Sequence, residues 1–296
     1  MELIGEIAAL LTSFLWAGTA VVFTLSGQQV GSVVTNRTRV VFALGFLMLI
    51  NLAFYRQLLP LTAEPERWLW FSLSGVIGLA LGDAFLFQSY LWIGPRLGML
   101  LMSLAPVLGA LEAWFIFDEV LLPAQMLGIA LTLGGVAWVI IERGDSANPR
   151  APVRGVVFGV LAALGQATGL VLSKQGLLGD FSPISGNLIR MLAAVLALWL
   201  VALLQRQASQ TVRTLQLHPS AVKLLLLGAL IGPTLGVLFS LVAVQHAEVG
   251  VASTLMALPP VILLPVSHFF FKERFGWQAV AGTMVAVVGV VLLFLV

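Results

Sequence analysis

One stretch of this chain occurs twice. Gly78, Gly82, Pro106, Phe117, Glu119, Gly128 and Gly135 recur as Gly232, Gly236, Pro260, Phe271, Glu273, Gly282 and Gly289, at a constant offset of 154 residues. Glycines, a proline and a glutamate seldom fall so consistently in an otherwise aliphatic chain, so this is an internal duplication. The unit extends backwards more weakly. Asn36-Arg37-Thr38-Arg39 matches Asn187-Leu188-Ile189-Arg190 at an offset of 151, so a few residues were gained or lost between the two parts.

What such a unit can fold into follows from its solvent. The chain is 60% hydrophobic and 9% charged, whereas a soluble domain has roughly 45–50% apolar and about 25% charged residues. Too little charge is present to solvate a globular surface, so the surroundings are lipid. A span takes about 20 apolar residues. Spans are predicted at about 3–25, 32–54, 67–89, 94–117, 123–141, 153–174, 182–204, 220–244, 248–271 and 276–296. They are too long and too uniformly apolar for barrel strands, which leaves helices. Charges and prolines cluster between Glu142 and Pro152, at the midpoint. The expected division is therefore 1–145 for the first copy, a linker at 146–152 and 153–296 for the second. Five spans per copy is an odd number, so the second copy enters the membrane upside down. The expected fold is an all-α integral membrane protein, with ten transmembrane helices in two inverted five-helix repeats around a central cavity. Inverted repeats of this kind hold a small-molecule substrate near the midplane in carriers.

Several classes are excluded. The chain has no cysteine, so disulfides and thiolate chemistry are absent. The net charge is only +2 and no basic run occurs, so nucleic acid is not an expected partner. The three histidines are scattered and do not have the spacing of metal ligands. No phosphate-binding Gly-x-x-x-x-Gly-Lys-Ser/Thr loop is present, so no cofactor is expected, and an enzyme is not. The N-terminus lacks a basic n-region and a cleavage site, so the first apolar run is expected to be retained as a span. The partners left are lipids, a small solute and protons, for a monomer or a homodimer.

Within the spans, small residues form stripes: Gly75, Gly78 and Gly82; Gly228, Gly232 and Gly236; Gly128, Thr132 and Gly135; Gly282, Ala286 and Gly289. In lipid, such stripes let helix backbones approach closely. Pro106 and Pro260 sit at matching places inside spans four and nine. A helix-interior proline removes a hydrogen bond, so both are hinge candidates as well as static kinks. Charges inside spans cost about 2.5–3.5 kcal/mol on insertion scales and are functional candidates by default. Asp83 and Glu112 have Val237 and Val266 in their places in the second copy, so the duplication does not explain them. Both are candidates for lining the cavity and for proton coupling. Arg39 and Arg190 are expected to bind a substrate carboxylate, to pair with an intramembrane acid, or, as the leading expectation, to snorkel to headgroups. Asn36 and Asn187 are expected to cap or bridge helices. Glu119 and Glu273 are read as structural, at the start of the last helix of each copy. Trp16 and Gln166 occupy nearly equivalent midspan positions and suit a small amphipathic ligand. Gln88, Tyr90, Met102 and Ser103 are further cavity candidates. Trp68, Trp70, Trp92 and Trp277 near span ends read as interfacial anchors, and the balance of basic residues favours both termini outside.

The motifs also carry a family resemblance. Phe117-Asp118-Glu119 followed by Gln125, Gly128 and Gly135, and Phe271-Lys272-Glu273 followed by Gln278, Gly282 and Gly289, resemble the close of an EamA domain. Leu15-Trp16-Ala17 looks like that family's leading aromatic motif, and Arg39 and Arg190 match its arginine near the start of the second helix. The second copy departs from the pattern, with Gly165-Gln166-Ala167 in place of the leading motif. The resemblance covers the whole chain, points to the drug/metabolite transporter superfamily and says nothing of the substrate. It implies a multi-pass inner-membrane secondary transporter working by alternating access. Export of amino acids or related compounds, with proton coupling, is the expectation; export of hydrophobic cationic drugs and lipid flipping or scrambling are the alternatives.

Overall fold

The computed structural model describes residues 3–117, 120–142, 150–179, 181–247 and 249–295. Asp118, Glu119, Glu248 and the linker residues 143–149 lie outside the described residues. Among the described residues every element is a helix. Among the described residues nine helices are long and apolar enough to cross a membrane, and the shorter apolar helix Leu104–Phe115 joins them.

Span one is Ile4–Val30 and span two Ser32–Tyr55, joined at Gly31, whose φ of 82° favours a residue without a Cβ. Spans three and four form one apolar run, Pro65–Met102, broken at Gly94 where φ is again 82°. Pro95 follows directly, in a first-turn position where a missing N–H costs nothing. Span four then breaks again at Ser103 and resumes as Leu104–Phe117. Span five is Pro123–Glu142. Span six is helical from Arg150 to Leu177, beginning inside the stretch expected to be linker. Span seven is Pro183–Leu204. Span eight runs from Pro219 to His246 and span ten from Trp277 to Phe294. Span nine is two pieces, Val249–Met256 and Pro259–Phe270. Pro106 and Pro260 therefore stand in the first turn of the second piece of a broken span. Neither bends a continuous helix, because a tighter turn interrupts the α-helical ladder just before each, with Ser103 N–H donating to Leu100 O and Leu258 N–H to Leu255 O.

Spans three and eight share a feature the sequence does not announce. Gly75–Gly82 and Leu230–Gly236 are wide π-helical turns at matching places in the two copies. Wide turns of this kind are rare and concentrate at functional sites. In the second copy the turn accommodates Pro233, and Thr234 donates its hydroxyl to Ala229 O at 2.8 Å.

The inversion is visible in paired contacts. Span one of the first copy packs on spans eight and nine of the second, and span six of the second packs on spans three and four of the first. A Cβ on Gly5 would lie 2.5 Å from Ala247 N, and one on Gly155, the equivalent at the start of span six, would collide with Ile93, the equivalent of Ala247. Five crossings separate the starts of spans one and six, so these two matched contacts lie on opposite faces of the membrane. We call them the N-terminal face and the linker face. The glycine stripes do the fitting. Gly78 meets Gly169 and Gly82 meets Gly165; in the other copy Gly232 meets Thr19 and Gly236 meets Trp16. Spans five and ten lie outside this assembly and pack on each other: a Cβ on Gly128 would stand 2.7 Å from Gly289 O, and one on Gly135 would stand 2.6 Å from Gly282 O.

Candidate functional site

Between the two copies is a cavity of about 520 Å³. Spans one to four and six to nine line it, and among the described residues spans five and ten do not. It reaches the N-terminal face at Leu177 and at the exposed Pro183. Towards the linker face it ends on Phe23, Phe87, Tyr90 and Met99. The Phe23 and Phe87 rings are 5.0 Å apart, and Tyr90 Oη donates to Met99 Sδ at 3.0 Å. Beyond this floor Arg96 Nε donates to Glu273 Oε2 at 3.1 Å, joining the start of span four to the turn before span ten. The Arg96 guanidinium also lies 4.5 Å from the centre of the Phe275 ring. Gly250 stands at the place of Arg96 in the second copy, so only one face of the molecule has this pair.

The polar part of the cavity is built on span two and the wide turn of span three. Asn36 donates Nδ2 to Ala80 O at 3.0 Å, and Arg39 donates Nη2 to Leu79 O at 3.2 Å. Both carbonyls belong to the π-helical turn. Arg39 Nε donates to Asn36 Oδ1 at 3.1 Å, and Nη2 also makes an ion pair with Asp83. The guanidinium carbon sits 5.0 Å from the centre of the Phe87 ring. Arg39 is 4% exposed. It does not snorkel to headgroups, because a carboxylate, two backbone and side-chain oxygens and an aromatic face satisfy it inside the protein.

The second copy carries the same asparagine and arginine without the acid. Asn187, Arg190 and Val237 all line the cavity. Asn187 Nδ2, Arg190 Nε and Nη2, and Gln166 Oε1 are buried and have no hydrogen-bond partner. Arg190 Nη2 and Gln166 Oε1 lie within 3.5 and 3.6 Å of the same point, the place a Cβ on Gly78 would take. With Arg39 neutralised by Asp83, one positive charge is left in excess.

Of the residues expected from sequence, Trp16, Arg39, Asp83, Tyr90, Met102, Gln166 and Arg190 are brought together on the cavity wall. Gln88, Ser103 and Glu112 are not among the lining residues. Gln88 accepts from the Ser32 hydroxyl at 2.6 Å, near the linker face. Ser103 occupies the break in span four. Glu112 faces span six, where Oε1 accepts from the Thr168 hydroxyl at 2.7 Å while Oε2 is buried without a partner. Sequence reasoning did not single out Phe23, Phe71, Phe87, Met99 or Ser240 as lining the cavity. Phenylalanine and methionine in an apolar chain give no signal of which helix face they occupy. Asn187 was legible as a polar residue repeated from Asn36, but only its orphaned amide marks it as more than a bridge. Arg96 and Arg37 were also passed over. Arg37, 4% exposed, donates to Gln207 Oε1 at 2.9 Å and ties span two to the short helix Ala208–Leu217.

Comparison with known proteins agrees with this architecture. The EamA-like transporter family matches residues 3–141 and again 153–295. The chain belongs to that family. An uncharacterized transporter of Haemophilus influenzae is 30% identical over 181 residues, a stretch that spans 58% of this chain and 58% of that relative. A protein of known crystal structure, 19% identical, aligns with 97% of this chain and 94% of its own at a TM-score of 0.56, a likeness of fold alone. This EamA-like chain is thus a multi-pass membrane protein of a transporter family, and its two family segments are the two halves that enclose the cavity.

Proposed function

We propose that the protein is a secondary transporter that exports amino acids or related compounds across the inner membrane by alternating access. The observation that carries this reading is the cavity itself. It lies on the seam between two inverted copies, holds a charged cluster at mid-depth, opens to one face and is closed to the other by an aromatic floor and an ion pair. An inverted duplication supplies two similar conformations, each open to one side. The positive-inside preference makes the open, N-terminal face the external one. Pro106 and Pro260, each at a break in its span, are the proposed hinges. Glu112 and Asp83 are the proposed proton-coupling groups; the orphaned Oε2 of Glu112 favours Glu112. Hydrophobic cations would need an unengaged acid in the cavity, and Asp83 is held by Arg39.

Counterflow of labelled amino acids in proteoliposomes tests the reading, and lipid scrambling in the same vesicles tests the flippase alternative. Exchange is expected with at least one amino acid, and an imposed proton gradient is expected to drive net flux. Glu112→Gln is expected to abolish the gradient-driven flux and to keep exchange measurable. Unchanged coupling would remove Glu112 from the mechanism, and scrambling without counterflow would replace the proposal.

The closed floor gives a second test. An ion pair made in only one conformation stabilises that conformation, so removing it shifts the population. A cysteine placed at Met99, in a chain with none of its own, is expected to react several-fold faster from the linker face in Arg96→Gln. Equal labelling rates with and without the substitution would show that Arg96 and Glu273 do not hold that face shut.

A further inference from the structure

The two copies invite a subtraction. Each has an asparagine and an arginine three residues on, Asn36 with Arg39 and Asn187 with Arg190, and Arg39, Asn187 and Arg190 line the cavity. In the first copy the set is complete: the amide reaches Ala80 O, the guanidinium reaches Leu79 O and Asn36 Oδ1, and Asp83 supplies a carboxylate. In the second copy Val237 holds the place of Asp83, and three donors, Asn187 Nδ2 and Arg190 Nε and Nη2, are left with no hydrogen-bond partner. Orphaned buried donors are costly, and more so on a charged group. A guanidinium with free donors is a shape match for a planar carboxylate.

We propose that Asn187 and Arg190 bind the carboxylate of the transported solute, which takes the role that Asp83 plays for Arg39. The inference rests on the carrier reading and names the chemistry of its site. The charges fit. Asp83 is the acid facing this part of the cavity, Arg39 neutralises it, and a bound monocarboxylate cancels the remaining positive charge. Gln166 Oε1, beside Arg190 and also without a partner, accepts an N–H from the same solute, so an α-amino acid uses both groups. The apolar body of the solute lies against Trp16, Phe71 and Met256.

The test uses the purified full chain in detergent, with binding read by calorimetry and by thermal stabilisation. The probes are 4-methylpentanoate and 3-phenylpropionate, each beside its neutral carboxamide. Each acid is expected to bind at least about tenfold more tightly than its amide, the ratio of a charge-assisted to a neutral hydrogen-bond set. Arg190→Gln is expected to bring acid and amide together. That substitution removes an unengaged side chain and breaks no ion pair. Val237→Asp restores the missing acid inside the protein and is expected to weaken the acids at least about tenfold more than Val237→Asn does, since charge and not size separates the two. Amides that bind as well as acids, discrimination that survives Arg190→Gln, equal effects of Val237→Asp and Val237→Asn, or binding of neither probe class would each overturn the assignment. The carrier reading fails separately. Acids that bind with this discrimination while counterflow detects no exchange leave the site standing without transport. Counterflow of neutral or cationic solutes with no preference for acids leaves transport standing without the site.

Discussion

Asp83→Val, which gives the first copy the residue of the second, is expected to destabilise the protein by about 3–5 kcal/mol, the cost of stranding one partner of a buried ion pair. Arg39 is 4% exposed and the Asp83 side chain 13%, so neither charge has ready recourse to water. The guanidinium lies against the Phe23 and Phe87 rings, 5.9 and 5.0 Å from their centres, and cannot extend to a headgroup without opening the floor of the cavity. The measurement is the unfolding midpoint in detergent. Adding Arg39→Leu to Asp83→Val is expected to recover most of the loss, because it removes the stranded charge; the pair then shows strong non-additivity. A midpoint that does not move in Asp83→Val would mean that water reaches Arg39 from the cavity.

The second large effect is expected where spans five and ten meet. Gly135→Leu is expected to cost more than about 3 kcal/mol, above the usual range for overpacking, because the neighbours are backbone and not flexible side-chain ends. A Cβ at Gly135 would already collide with Ala286 and stand 2.6 Å from Gly282 O. The adjacent Gly134 has nothing within 4 Å of its own Cβ position. Gly134→Leu is therefore expected to stay within about 0.5 kcal/mol of wild type. Folded yield after extraction and the unfolding midpoint separate the two variants. Similar behaviour would mean that spans five and ten do not depend on close backbone approach.

These two predictions also mark how much the sequence could say. The glycine stripes on spans five and ten are read from spacing alone, and the structure presses them together, because close approach in lipid has few other solutions. The charges Asp83, Arg39 and Arg190 stand out against an aliphatic background, and all three reach the cavity. The same argument selected Glu112, which faces span six and Thr168. Charge within a span marks a residue that avoids lipid, and a helix–helix contact meets that need as well as a cavity does. The wide turns of spans three and eight were not legible, since a glycine pattern suits an α-helix as well as a π-helix. Without those turns, nothing in the sequence shows that the Leu79 and Ala80 carbonyls are open to Asn36 and Arg39.

By itself the sequence determined the lipid setting, the ten apolar segments, the doubling of a five-span unit and, from that odd number, the inversion. These follow from composition, length and offset, which are properties of the chain in one dimension. Only the tertiary structure decided which of two equivalent arginines is satisfied. Arg39 and Arg190 look alike along the chain, and the difference lies in what packing brings to each: a carboxylate at Asp83 for Arg39, and no acceptor for Nε and Nη2 of Arg190, with Val237 at the repeat position of Asp83. Hydrogen bonds and ion pairs reach only a few ångströms, so partners brought together by packing settle what repetition alone leaves equal.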